Sequence, residues 1–483
     1  MKSPILGSAY VARSVNAADN RMVNLFPEIV PEGGKEPAFL NRAPGLRQVV
    51  TVGDGPIRGL WAFDGNMYVV SGNELYKVDA NYTVTLLGTV SGSPGPVSMA
   101  DNGAVLFVAC NGPSYTYFTL TNSFQQITDP QFEGAVTVSY LDGYFVFNPP
   151  DAQRINSVST LTSGGYIYPL VFDATEFASA EGAPDNTVGI IADHRELWVF
   201  GDNSVEVWYN SGDVDFPFTR IQGAFNELGC AAAFSIAKMD NGLFWLGKDA
   251  RGQGIVYRAN GYTGQRISTH AVEWQIQQYG DLSDAIGYTY QQDGHSFYVL
   301  IFPSAGAMWV YDVSTQAWHE RAGFSNGNFV RHRSNCQVFF NQETLVGDYQ
   351  NGKIYAFDLD VYADDGQLQK WLRSWRALPT GQNNLKRTAH HSLQLDIESG
   401  VGIVTGQGSD PQVMLRWSDD GGHTWSNEHW EKIGKIGEYG RRVIWRRLGM
   451  TMKLRDRVYE VSATDPVKTV ILGAELIVSG TNA

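Results

Sequence analysis

The chain has little cysteine: three residues in 483, Cys110, Cys230 and Cys336, set far apart in apolar stretches. An odd count without a C-x-x-C pair argues against a disulfide framework or a zinc site, and the three read as buried thiols in a reducing compartment. Charge is also scarce. Charged residues make up 18% of the chain and the balance is acidic, with a formal net charge of -14 at pH 7. Nonspecific nucleic-acid binding comes from Lys and Arg displacing counterions along the phosphates, so this balance speaks against wrapping DNA; an acidic wall instead lets DNA slide past. No apolar run reaches the ~20 residues that a spanning helix requires. The best of them, "SFYVLIFPSAGAMWVY" (296–311), is broken by Pro303. The first twenty residues lack the apolar core of a signal peptide, so a soluble chain made in the cytoplasm is expected.

Site chemistry is missing as well. His390 and His391 are adjacent, hence on opposite faces of a strand, and no H-E-x-x-H occurs. "DLDVYADDG" (358–366) lacks the spacing of a calcium loop, and "GQGIVYRANGYTG" lacks the GK[ST] of a phosphate loop. Among 50 acidic residues and 23 tyrosines no local motif selects a catalytic pair. The expectation is therefore no catalytic residue, no metal ligand and no cofactor.

What is present is β-forming material. Hydrophobic residues reach 43%, aromatics 12%, and there are 52 glycines, a balance that suits many short strands and turns better than long surface helices. "RGLWAFDGNMYVVSGNELYKVD" (58–79) reads as a meander of three strands separated by DGN and GN turns. The same grammar recurs at 104–118, 140–158, 195–212, 241–261, 293–321 and 335–360, at a spacing near the ~40–50 residues of propeller blades. Five later runs, from "SLQLDIES" to "TVILGAELIVSG", suffice for a small sandwich. Residues 1–45 carry Pro4, Pro27, Pro31, Pro37 and Pro44 with few periodic runs. The predicted fold is all-β: an extended N-terminal arm (1–45), a six- or seven-bladed β-propeller (46–375) and a C-terminal β-sandwich-like domain (376–483).

Two local features stand out. "SDDGGHTW" (418–425) spells S-x-D-x-G-x-T-W and resembles the aspartate box of sialidases. In such a turn the Asp carboxylate caps backbone N–H groups and the aromatic packs beneath, so Ser418, Asp420, Gly422 and Trp425 are read as a structural turn. A single copy outside the repeats gives weak support to a carbohydrate-active, sialidase-like propeller; a protein-binding propeller scaffold is the other alternative. The second feature is "RRVIWRRLGMTMKLRDR" (441–457), with seven basic residues against one acid. A solvated face is the simple explanation, and a docking surface for an acidic partner the functional one, with Arg441, Arg442, Arg446 and Arg447 as candidate interface residues.

The order of parts adds a resemblance. "DNRMVNLFPEIVPEGGKEPAFLNRAPGLRQV" (19–49), with its N-L-x-P-E and P-G-L, is similar to the tail-hub, or packaged-DNA stabilisation, proteins of short-tailed bacteriophages. So are the G-x-x-S-x-E-x-W hairpin in "WVFGDNSVEVWYNSG" (198–212) and the closing "RWSDDGGHTW" and "RRVIWRRLGMTMKLRDRVYEV". The resemblance implies a nonenzymatic virion protein made in the host cytoplasm and built into the tail, a nozzle of six copies that closes the DNA-filled capsid and forms the exit channel. The partners it implies are an adaptor ring under the portal, a tailspike or fibre, and a tail needle or plug. Double-stranded DNA would pass without sequence-specific binding.

Overall fold

The computed structural model describes the chain except residues 16, 181, 214–215, 249–250, 253, 380, 383–385, 453–455 and 481–483. Seven antiparallel sheets follow one another along residues 57–89, 98–126, 138–179, 187–226, 229–266, 286–320 and 334–358. The first strand of each lies against the first strand of the next: Ile57–Phe63, Ser98–Asp101, Val138–Leu141 and Thr187–Asp193 in turn. Succession continues through the short turn Ala233–Ser235, Ala237–Met239, Ile286–Gln292 and Ser334–Phe340, which returns to Ile57–Phe63. Residues from all seven innermost strands line one central space of about 490 Å³. The fold is a β-propeller with seven blades.

Each blade repeats the same local physics. The second strand is buried on both faces and apolar along most of its length: throughout in Val105–Ala109, and after the polar first residues in Glu196–Gly201 and His295–Phe302. Outer strands such as Phe218–Asn226 are mostly exposed, with buried residues only at intervals. The turn from first to second strand takes two residues with positive φ in six blades: 64–65, 142–143, 194–195, 240–241, 293–294 and 341–342. Paired positive φ is the signature of a type I′ turn, whose twist matches that of the flanking strands. Separate apolar clusters fill the spaces between neighbouring blades, for example Tyr68, Leu106 and Tyr117 between the first two and Phe107, Phe145 and Phe147 between the next.

The N-terminal arm and the strand that follows it supply pairings in three places. Gly45–Thr51 pairs antiparallel with Lys353–Asp358 and completes the last blade from the other end of the chain. Leu25–Ile29 and Ala38–Arg42 join Val470–Gly480, Thr388–Ile397 and Val443–Arg446 in one sandwich sheet. Met22–Val23 lies between Ala317–Glu320 of the sixth blade and Trp371–Arg376, so that blade continues into the second sandwich sheet through Val458–Ala463, Gln412–Ser418 and His429–Lys432. Trp371, Trp375, Leu393, Leu415, Tyr459 and Leu476 fill the sandwich, each fully buried.

Polar side chains of the arm reinforce these pairings. Asn24 Nδ2 donates to the carbonyls of Ala322 and Lys370 at 2.8 and 2.7 Å, while its Oδ1 accepts the Ala322 N–H. The buried Arg42 guanidinium donates to carbonyl oxygens of Tyr362, Asp465, Val467 and Gln369 and to Gln369 Oε1. An arm with five prolines is thus held by insertion into both folded units, which its own sequence pattern does not reveal.

Candidate assembly surface and the aspartate turn

The 418–425 turn begins where strand Gln412–Ser418 ends. Ser418 Oγ donates to Asp420 Oδ1 at 2.7 Å and accepts the Gly422 N–H at 2.8 Å. Asp420 accepts the Thr424 N–H at 2.8 Å and the Thr424 hydroxyl at 2.6 Å. These hydrogen bonds, the Thr424 hydroxyl first, hold the Asp420 carboxyl well below the usual carboxylate range. Trp425 Nε1 donates to the Gly422 carbonyl, and its half-buried ring lies under the Arg416 guanidinium at 4.7 Å. All four residues are therefore engaged with one another or with backbone. The preceding Asp419, which the motif does not contain, grips the buried Arg457 through both carboxylate oxygens at 2.7 and 2.8 Å.

That ion pair separates Arg457 from the other arginines of its segment. Its guanidinium is 2% exposed, stacks over Trp417 and donates to the Leu448 carbonyl. Lys453 and Arg455 lie outside the described residues. The remaining four sit at the edge of a sandwich sheet, where Val443–Arg446 pairs with Thr388–Ile397. Val443 and Trp445 point into the core, whereas Arg442 and Arg446 are exposed on the opposite face, as the strand's period of two requires. Arg442 donates to Gln394 Oε1 at 2.5 Å, and Arg441 lies 3.8 Å from Glu431. Arg446 and Arg447 are exposed, and their guanidinium groups have no partner among the described residues.

Apolar side chains accompany them. Register carries Arg446 across Ser392 to Ile477, which is 60% exposed, and Met450 bridges to Ala389 on the same strand. Met450 and Met452 are also exposed, at 44 and 63%. Arginine and methionine are both residue types enriched at protein interfaces. Sequence reasoning singled out the arginines and missed these companions; the "LGMTM" directly after Arg447 was the available signal.

Three acidic positions of the 358–366 run are taken up by neighbours. Asp358 pairs with Arg47, Asp365 with Lys353, and Asp364 is buried near Arg42 with Gln369 Nε2 donating to it at 3.3 Å. Among the described residues no group of three His, Cys, Asp or Glu side chains is placed to hold a metal ion, and no helix is long and apolar enough to cross a membrane.

Sequence comparison decides the family. A profile of the bacteriophage P22 Gp10 β-propeller matches residues 1–362, and one of the Gp10 β-sandwich matches residues 371–479. The chain belongs to the bacteriophage P22 Gp10 family. It is a structural tail protein of a phage, of the tail-hub type that its motifs resemble. The Gp10 propeller match takes in both the N-terminal arm and the strand Gly45–Thr51 that pairs with the last blade. No curated protein sequence matches the chain. Among solved structures, streptogramin B lyase is similar over 69% of this chain and 98% of its own, at 12% identity and a TM-score of 0.41. The Pan2 WD40 domain of Neurospora crassa is similar over 63% of this chain and 89% of its own, at 9% identity and a TM-score of 0.40.

Proposed function

We propose that the chain is the nozzle subunit of a short phage tail: six copies close into a ring that seals the filled capsid and forms the channel through which DNA leaves. Membership of the Gp10 family across both propeller and sandwich is the observation that carries this reading. A tube around a symmetry axis requires heterologous contacts that close by rotation. The edge of the sandwich offers one half of such a contact, with Arg442 and Arg446 exposed on one face, Arg447 beside them and Ile477 and Met450 adjacent. A net charge of -14 supplies acidic surface elsewhere for a neighbour to present. Arginines in the channel wall would bind phosphates and slow DNA passage, so they face protein, in a second copy or the adaptor ring, and Asp and Glu dominate the channel. The tailspike or fibre and the needle or plug dock on the assembled ring, and the protein acts without catalysis or cofactor.

Charge reversal tests this. A virion carrying Arg442→Glu and Arg446→Glu should fail to complete its tail and leave capsids that lose DNA, while the purified variant melts like the wild type. Normal tails with altered ejection rates would put these side chains in the channel and overturn the assignment.

A further inference from the structure

The third blade departs from its neighbours on its outer side. Residues 160–176 stand between its third strand, Arg154–Ser159, and a short fourth strand, Phe177–Ser179, where the second blade has only 119–122. Connections this long are uncommon in a compact fold and are often functional. The insertion straddles the boundary with the second blade. The Tyr168 hydroxyl donates to the Ser123 carbonyl at 3.0 Å, and the N–H groups of Phe172 and Ala174 donate to Asp129 Oδ2 and Gln131 Oε1 at 3.4 and 3.1 Å. Apolar side chains stay on its surface: Val171 is 72% exposed, and Phe177 and the paired Leu161 and Tyr166 are exposed as well. The charge around them has one sign. Residues 98–179, the second and third blades, hold seven acidic residues and a single basic one, Arg154, which is paired with Glu133. The Asp173 carboxylate bonds to Thr175, and neither it nor that of Glu176 meets a cation among the described residues. Burial and the Asp173 charge push the Glu176 carboxyl up, so a cation brought to this pair would stabilise both charges.

The arginine edge of the sandwich has the complementary composition. Arg446 and Arg447 have no carboxylate partner among the described residues and stand beside the exposed Ile477 and Met450. Position fits as well. On a circle of seven blades the boundary between the second and third lies across the axis from the sixth, and the sheet of the sixth blade is the one that continues into the sandwich. Two unlike surfaces on opposite sides of a chain are what a head-to-tail contact between identical copies uses, and such contacts close into a ring when the rotation between copies allows. Ion pairs at such a contact add little affinity but fix partner and orientation, while the apolar side chains supply burial. We propose that the acidic corner of the second and third blades receives the arginine edge of a neighbouring copy, with Arg446 and Arg447 against Asp173 and Glu176, and Ile477 and Met450 against Val171 and Phe177. The contact rests on the ring reading and names both of its faces.

Two experiments on the assembled tail test it. Virions carrying Val171→Cys and Ile477→Cys together, treated with a flexible bismaleimide, should yield a ladder of linked chains up to the size of the ring, whereas either cysteine alone should yield none. A virion carrying Asp173→Arg and Glu176→Arg should fail to complete its tail, as with Arg442→Glu and Arg446→Glu, while the purified variant melts like the wild type. Combining all four reversals in one chain should raise the yield of complete tails about tenfold or more over either pair alone, the size of a direct coupling between contacting charges. Should the acidic reversal unfold the chain, the linking experiment decides alone. A ring of this chain in the tail without a ladder overturns the contact and leaves the ring reading standing; a tail with no such ring overturns both. Normal tails from the acidic reversal, or four reversals that fail as the pairs do, also overturn the contact.

Discussion

Asp420 and Asp364 are two carboxylates moved in opposite directions by their surroundings. Asp420 is a turn acceptor with a depressed pKa, so its contribution to stability is present above the unfolded-state value and disappears as pH falls below it. Replacing it with Ala should cost about 1–2 kcal/mol in urea denaturation, the range for losing a satisfied turn acceptor. Trp425→Ala should cost a similar ~1–2 kcal/mol rather than the ~3–5 of a core tryptophan, because its ring is only half buried. Neither variant should alter any turnover of a sialoside, since none is expected. Asp364 is the reverse case: burial pushes its pKa up to about 7, with Arg42 opposing the shift. The folded state then holds a proton that the unfolded state releases, so stability falls as pH rises from about 4 to about 7. Asp364→Asn should therefore melt higher than wild type at pH 8, with the difference shrinking at pH 5; an unchanged difference would contradict the assignment. Asp420 was legible in the sequence because its partners are its own neighbours. Asp364 was not, because the groups that bury and oppose it come from the arm and the linker, and its local run reads only as a loose calcium-like string.

Strand and turn identities were legible wherever chemistry is local. Asp64-Gly65, Asp142-Gly143 and Asp293-Gly294 announce type I′ hairpins by composition, and the apolar second strands mark the blades. His194-Arg195 adopts the same positive φ pair with no glycine, asparagine or aspartate, imposed by the strands on either side, so no turn signal betrays it. The blade count stayed open between six and seven because the last blade is completed by Gly45–Thr51, far from its partners in sequence. That closure is testable. Gln48→Pro together with Val49→Pro removes ladder N–H groups at successive positions, so one of them breaks pairing with Lys353–Asp358 whichever residue is bonded. Amide exchange should then accelerate at residues 353–358 while Val458–Ala463 in the sandwich keeps its protection. Unchanged protection at 353–358 would show that the arm strand does not hold the blade.

At the scale of the whole molecule, propeller and sandwich are joined by more than a linker. One sheet runs from the sixth blade through Met22–Val23 into the sandwich, and Asn24 and Arg42 tie the arm to both sides of the junction. Such a connection transmits the orientation of one unit to the other, a property suited to a subunit that must present fixed faces to two neighbours in a ring. The sequence carried the order of parts and the family motifs; the exposed companions of the arginines, Ile477 and Met450, required register between distant strands. Assembly is read straight from cryo-electron microscopy of the virion tail. A closed ring of six copies of this chain around the DNA path is expected, with Arg442 and Arg446 at a protein contact and acidic side chains on the channel wall. A ring of another order, a chain outside the channel, or these arginines lining the DNA path would contradict it.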